Sequence, residues 1–243
     1  MARKRTRFSK KRKSYRRRRR RPYKKKKYSK YRKPLGTKWI RQFPPTHLTT
    51  TMVWRGSGIL SVPQSNVGTK RFIANNCWDP QYDTVSQFSC YNMDTIRLMY
   101  KRYLVLGSQI SVTAVNPDNT NCSAFGILKT SDPSTNPDLL DWDDFCAQKQ
   151  FRYKSLGTKN QSQALKRVTN RFSLKNDLGQ MAINPVETTS ALVDAAPATQ
   201  YYYILVGAPF VENVANNDDI QFQIEIRFNV LFTGLKHIPP SET

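Results

Sequence analysis

The chain has 243 residues, with 40 Lys and Arg against 17 Asp and Glu, a formal net charge of +23 and a pI near 10.1. Its basic start is never followed by an apolar h-region, and its longest mostly apolar run, Tyr201 to Val211, is interrupted by Gly207 and Pro209. A secretory signal and membrane insertion are therefore excluded from the expectation, which is a soluble protein made in the cytosol.

The first element is a basic arm. Between Met1 and Arg41 stand 23 Lys and Arg residues and no acid, while the remaining 202 residues balance at 17 basic against 17 acidic. The expected organisation is an arm at 1–41 and one folded domain at 42–243. Such an arm repels itself and lacks the apolar surface that would offset the entropy of ordering, so it is expected to be disordered alone and to seek a dense polyanion. Its candidate nucleic-acid-binding cations are Arg3, Lys4, Arg5 and Arg7, then Lys10, Lys11, Arg12 and Lys13. Arg16, Arg17, Arg18, Arg19, Arg20 and Arg21 follow, then Lys24, Lys25, Lys26 and Lys27, and finally Lys30, Arg32 and Lys33. Tyr15, Tyr23, Tyr28 and Tyr31 are interleaved with these cations. Rings of that kind stack on the exposed bases of single strands, although tyrosines merely tolerated in a basic tail explain the pattern equally well. The runs Arg16 to Arg21 and Lys24 to Lys27 are also long enough to act as a nuclear-import signal. Phosphate contacts carry no base information, so no base sequence is assigned.

Beyond the arm, strand signals fall at Leu48 to Trp54 and Ile59 to Val62, with Gly56-Ser57-Gly58 reading as a hairpin turn between them, and then at Lys70 to Ala74. Asp94 to Arg102 reads as a helical turn or two. Tyr103 to Val115 is a long strand with Leu104, Leu106, Ile110, Val112 and Ala114 on one side and Gln109, Ser111 and Thr113 on the other, ended by Pro117-Asp118-Asn119. Cys122 to Leu128 is a further strand. Asn136-Pro137-Asp138 reads as a helix start, with Leu139, Trp142 and Cys146 on one face and Asp141, Asp143 and Asp144 beside the positive end of the dipole. Arg152 to Leu156, Ala164 to Phe172 and Tyr201 to Val206 are strands. The clearest of all is Ile220 to Phe232, whose Ile220, Phe222, Ile224, Ile226, Phe228, Val230 and Phe232 alternate with mostly polar residues, the pattern of a half-buried antiparallel strand. About eight strands with few helices and no repeat point to a two-sheet sandwich, either jelly roll or immunoglobulin-like.

Catalytic signals are lacking. His47 and His237 lie far apart, no metal-binding histidine motif, GxSxG or Walker A loop occurs, and no enzyme activity, cofactor or metal is expected. Cys77, Cys90, Cys122 and Cys146 include no CxxC pair and read as buried free thiols. The glycosylation patterns at Asn121 and Asn160 are taken as chance, since no secretory signal would bring them to the transferase.

The order of features resembles the capsid proteins of circular Rep-encoding single-stranded DNA viruses, the circovirus-like group. An Arg/Lys/Tyr-rich start precedes a run of strands, Tyr103-Leu-Val-Leu-Gly-Ser-Gln-Ile-Ser-Val-Thr-Ala-Val lies before mid-chain, and the alternating Ile220 to Phe232 strand sits near the C-terminus. The resemblance implies an all-β, eight-stranded antiparallel jelly-roll sandwich, with strands at 47–54 or slightly beyond, 69–75, 103–115, 122–129, 151–157, 164–172, 200–207 and 219–233. It makes 130–151 a surface loop. It also implies self-assembly into a T=1 icosahedral shell of roughly 60 copies. The implied partners are a single-stranded DNA genome held by the arm, with RNA as a substitute during recombinant expression, host nuclear import receptors and an unidentified cell-surface receptor. The implied locations are the virion and, during assembly, the host nucleus. The competing class is a cellular RNA-binding or ribosomal-type structural protein with a basic tail, which explains the arm but does not need a large net-neutral, strand-rich domain.

Overall fold

The computed structural model describes residues 45–62, 67–82, 89–119, 121–131, 140–161, 163–178, 190–209 and 218–236, all within the unit Phe43–Thr243. Among the described residues nine strands run in chain order: β1 Leu48–Val62, β2 Gly68–Ile73, β3 Tyr100–Val115, β4 Ser123–Thr130, β5 Arg152–Leu156, β6 Leu165–Ser173, β7 Ser190–Leu192, β8 Tyr202–Pro209 and β9 Asp218–Leu235. Three short helices accompany them: α1 Met93–Met99, α2 Trp142–Ala147 and α3 Leu174–Leu178. One sheet has the order β1-β9-β3-β6, with β7 paired to β3, and the other has the order β2-β8-β4-β5. All pairings are antiparallel, and they nest from the ends inward: β1 with β9, β2 with β8, β3 with β6, β4 with β5. A long hairpin folded across two sheets in this manner is a jelly roll. The eight expected strands are present, and β7 is an addition that sequence periodicity did not indicate.

The core is made where the two sheets face each other. On β9 the apolar set Ile220, Phe222, Ile224, Ile226, Phe228, Val230 and Phe232 is buried throughout, as the period of two requires. Each such side chain contributes about 1.5 to 3 kcal/mol on burial. β8 is buried along nearly its whole length because both its faces are covered. Tyr203 and Leu205 point into the main core, while Ile204 and Val206 join Phe145 of α2 and Phe151 in a second cluster on the far side. The 130–151 segment therefore does more than form a surface loop, since α2 within it seals the outer face of the four-stranded sheet.

Four expectations are corrected. Gly56-Ser57-Gly58 is not a turn, because β1 continues through it and pairs with β9 residue by residue from Leu48 to Val62. The glycines make room instead: a Cβ on Gly56 would sit 2.6 Å from the Trp54 ring, and one on Gly58 would sit 2.9 Å from the Phe222 ring. In β3 the register shifts between Val105 and Gly107, which pairs Tyr103 with Phe232 and Val105 with Val230 and brings both to the core face. Leu106 is only partly buried, and the expected simple alternation breaks there. The helix begins at Trp142, with the Asp141 backbone N–H donating to the Asp144 carboxylate at 3.2 Å, and its buried residue is Phe145, whereas Cys146 is exposed. Asn136-Pro137-Asp138 lies outside the described residues. Of the four free cysteines only Cys77 and Cys90 are buried, with Cys122 half-buried.

Buried polar groups join the two sheets. The Ser108 hydroxyl donates to the Ala74 carbonyl at 2.6 Å and lies 2.9 Å from the Tyr203 hydroxyl. Tyr103 donates to the Asn76 side-chain oxygen at 2.8 Å, and that oxygen also accepts from the backbone N–H groups of Trp78 and Asp79. Asn75 in turn accepts from the Tyr201 N–H and donates to the Thr199 carbonyl. Satisfaction of this kind is what makes burial of polar atoms tolerable.

Candidate nucleic-acid interface

Every arm residue singled out above, from Arg3 to Lys33, lies outside the described residues, as does His237. The described chain starts where the arm ends. The Pro45 carbonyl accepts a hydrogen bond from Tyr100 at 2.7 Å, three residues before β1 begins at Leu48. The tyrosine bond thus anchors the entry into the first strand of the five-stranded sheet.

The two sheets present different outer faces. The four-stranded sheet is roofed by aromatics, with the Trp142 ring edge-on to Phe151 at 5.3 Å and to Tyr153 at 5.7 Å. Among the described residues the five-stranded sheet carries no such cover, and three rows of its outward positions are mostly polar. Val53, Arg227, Gln109 and Arg171 make one row. Arg55, Glu225, Ser111 and Thr169 make the next, and Ser57, Gln223, Thr113 and Arg167 the third. Neighbouring strands are about 4.8 Å apart and same-face residues about 6.7 Å apart along a strand. Arg227 and Arg171 are accordingly about 10 Å apart at Cα, and Arg171 and Arg167 about 13 Å.

Within these rows four guanidiniums face one carboxylate. Arg55 Nε donates to Glu225 Oε2 at 2.8 Å and Arg227 Nε to Oε1 at 2.6 Å. The arginine side chains remain 74% and 60% exposed while that of Glu225 is 21% exposed. The hydrogen bond from Arg55 first, and that from Arg227 second, hold the Glu225 carboxyl below its ordinary value. Arg167 Nε donates to the Ser111 hydroxyl at 2.8 Å. Two grooves follow the rows. One of about 580 Å³ is lined by Gln109, Arg171, Ser173, Asn176, Arg227 and Asn229, and one of about 500 Å³ by Arg55, Ser57, Ser111, Thr113, Arg167 and Gln223. Lys129 and Asp177 also line the first, paired with each other at 2.6 Å.

Sequence reading placed Gln223 and Arg227 on the wetter face of β9, but it did not bring Arg55, Arg167 and Arg171 to the same surface. Their only local signal is an outward position in an alternating strand; the shared face comes from the pairing register. Among the described residues no three His, Cys, Asp or Glu side chains come together as a metal site, and Asp141, Asp143 and Asp144 stay with the start of α2. Burial pushes the Cys77 thiol well up, with neighbouring Cys90 adding to it, and pushes Cys90 up to about 12. Both are protonated and unreactive at neutral pH.

No family model and no curated protein matches the chain. It is similar in structure to a decameric BFDV capsid protein, at 11% identity and a TM-score of 0.44, covering 76% of this chain and 99% of that one. It is also similar to the virus-like particle protein of the giant freshwater prawn Macrobrachium rosenbergii nodavirus, at 12% identity and a TM-score of 0.45, covering 82% and 99%. A third similar structure is that of Mud crab tombus-like virus, at 10% identity and a TM-score of 0.48, covering 82% and 95%. The jelly-roll assignment rests on the nested strand pairing of this chain itself.

Proposed function

We propose that this chain is a viral capsid protein that assembles into an icosahedral shell and packages a circular single-stranded DNA genome through its basic arm. The observation that carries the reading is the joining of two parts in one chain: an acid-free arm with 23 Lys and Arg, and a net-neutral jelly roll whose strands nest from the ends inward. Neutral domains approach one another without strong mutual repulsion, and closed symmetry turns many weak contacts into a shell. The arms then need neutralisation, which genome phosphates supply while releasing counterions. Shell closure and packaging are coupled through charge. The domain boundary falls near residue 41, and Arg16 to Arg21 with Lys24 to Lys27 direct import into the host nucleus, where assembly takes place.

Two measurements test this. Electron microscopy of the purified full chain is expected to show uniform spherical particles; persistent monomers favour a basic-tailed RNA-binding protein instead. Deleting residues 1–41 is expected to leave a folded domain by circular dichroism, to abolish most binding of single-stranded DNA and to flatten its salt dependence. Unchanged affinity and salt slope in the folded, truncated protein would place the main genome contacts on the shell domain and refute the arm's role.

A further inference from the structure

We propose that the outward face of the five-stranded sheet is a second nucleic-acid site, gripping the phosphodiester backbone of a single strand between Arg227 and Arg171 in one groove and between Arg55 and Arg167 in the other. The inference rests on the packaging reading and adds to it a place on the folded domain.

Charge is the first support. The rows hold a surplus of three positive charges in a domain whose formal charge sums to zero, and their one carboxylate is already engaged by two guanidiniums. A guanidinium has five N–H donors, and the recorded bonds of Arg55, Arg227 and Arg167 each use only Nε. Glu225 therefore acts as a fixture: it holds two of the cations in place and leaves donors over for a phosphate. Because those two arginines are already restrained, less rotamer entropy is lost when an anion binds.

Spacing is the second. Across the pairing register Arg227 and Arg171 lie about 10 Å apart at Cα and Arg55 and Arg167 about 16 Å, so the two members of each pair reach different phosphates of one strand. Between the arginines lie Gln109, Ser111, Thr113 and Gln223, all short or medium polar side chains that donate hydrogen bonds to phosphate and sugar oxygens. Among the described residues that line the two grooves the one aromatic ring is Phe172, which is buried. The face thus holds backbone without stacking bases, and binding is independent of sequence.

The arm is the third support: on the packaging reading the same chain already gathers a nucleic acid, which favours nucleic acid over a sulfated polysaccharide as the polyanion on this face.

The test uses the full chain with oligothymidylate. Arginine-directed dicarbonyl labelling, read by mass spectrometry, is expected to show Arg55, Arg167, Arg171 and Arg227 losing reactivity when DNA is added, while Arg152 on the other sheet keeps it. In parallel, Arg167→Gln with Arg171→Gln removes two contacts without orphaning a carboxylate. It should lower the salt slope of binding by about 1.4 and the affinity near 0.15 M salt by about ten-fold. The charge-matched control, Arg152→Gln with Lys154→Gln, should change the slope little. Protection of the arm's arginines with none on the sheet overturns this inference and leaves the packaging reading standing; protection nowhere sinks the packaging reading itself. Protection by heparin but not by DNA assigns the face to a polysaccharide, and lack of reactivity without any polyanion assigns it to contact between copies. Either result also overturns the inference.

Discussion

Phe228 offers the sharpest test of the core. Its side chain is fully buried at the middle of β9, opposite Met52 of the edge strand β1 on one side and Ser108 of β3 on the other, so it is hemmed in from both sides within the larger sheet. Phe228→Ala removes a ring that neighbours cannot replace, at about 3 to 5 kcal/mol for transfer and cavity together. For a domain of this size each kcal/mol moves the melting temperature by about 2 to 4 °C, so the expected drop is about 6 to 20 °C. Phe228→Leu should lose a part of that. Phe228→Asp places an unpaired charge in the same spot and should abolish soluble folding, since total stabilities are only about 5 to 15 kcal/mol. One residue earlier, Arg227 lies on the opposite face, and Arg227→Gln breaks only an exposed ion pair worth under about 1 kcal/mol. The assay is thermal unfolding of each variant by circular dichroism under one buffer. Equal losses at positions 227 and 228 would mean that β9 does not present alternate faces to core and water, and the sandwich as described would be wrong.

Gly58→Val should destabilise the fold by overpacking, about 1 to 3 kcal/mol, because its Cβ meets the Phe222 ring at 2.9 Å; pairing it with Phe222→Leu in a double-mutant melt should recover part of the loss. A maleimide should label Cys146 readily and Cys77 and Cys90 only after denaturation, as intact-mass measurement would show. Since the folded-state value of Glu225 is depressed, its stabilisation is complete above the ordinary 4.5 and is lost as pH falls through the lowered value. The melting-temperature gap between the wild type and Glu225→Gln should therefore close on acidification below that point. If the proposed shell holds roughly 60 copies, arms of 23 charges should neutralise a cargo on the order of 1,000 to 2,000 nucleotides; extraction of a several-fold longer nucleic acid would mean that other cations dominate.

The strands that could be read from sequence are those whose burial is decided by their own alternation, Ile220 to Phe232 above all. Features that depend on a partner far along the chain were hidden. Gly56 and Gly58 look like turn residues until the Trp54 and Phe222 rings are seen above them, and the irregularity at Leu106 exists only relative to β9. β7 is three residues long and takes its identity from pairing with β3. Within α2, periodicity cannot say that Phe145 is buried and Cys146 exposed, because a six-residue helix has too few turns to show a face. The arm was legible because 23 charges without an acid need no folding to be read. The four arginines of the sheet face are spread over three strands and became a group only through the register.

The hydroxyl and amide bonds between the sheets bear on how alike the copies of this protein are. Apolar contacts are indifferent to small slides of one sheet over another, whereas the Ser108, Tyr203, Tyr103 and Asn76 bonds are met at one alignment only. A one-residue slip would strand several buried donors and acceptors, at about 1 to 3 kcal/mol apiece. The same bonds fix the backbone just after β2, at Trp78 and Asp79, and the exposed Tyr82 lies three residues further on. Each molecule therefore displays that tyrosine in the same way. In the proposed shell that sameness matters, because a small angular error in one part of a closed surface is multiplied around the ring until the last piece no longer fits.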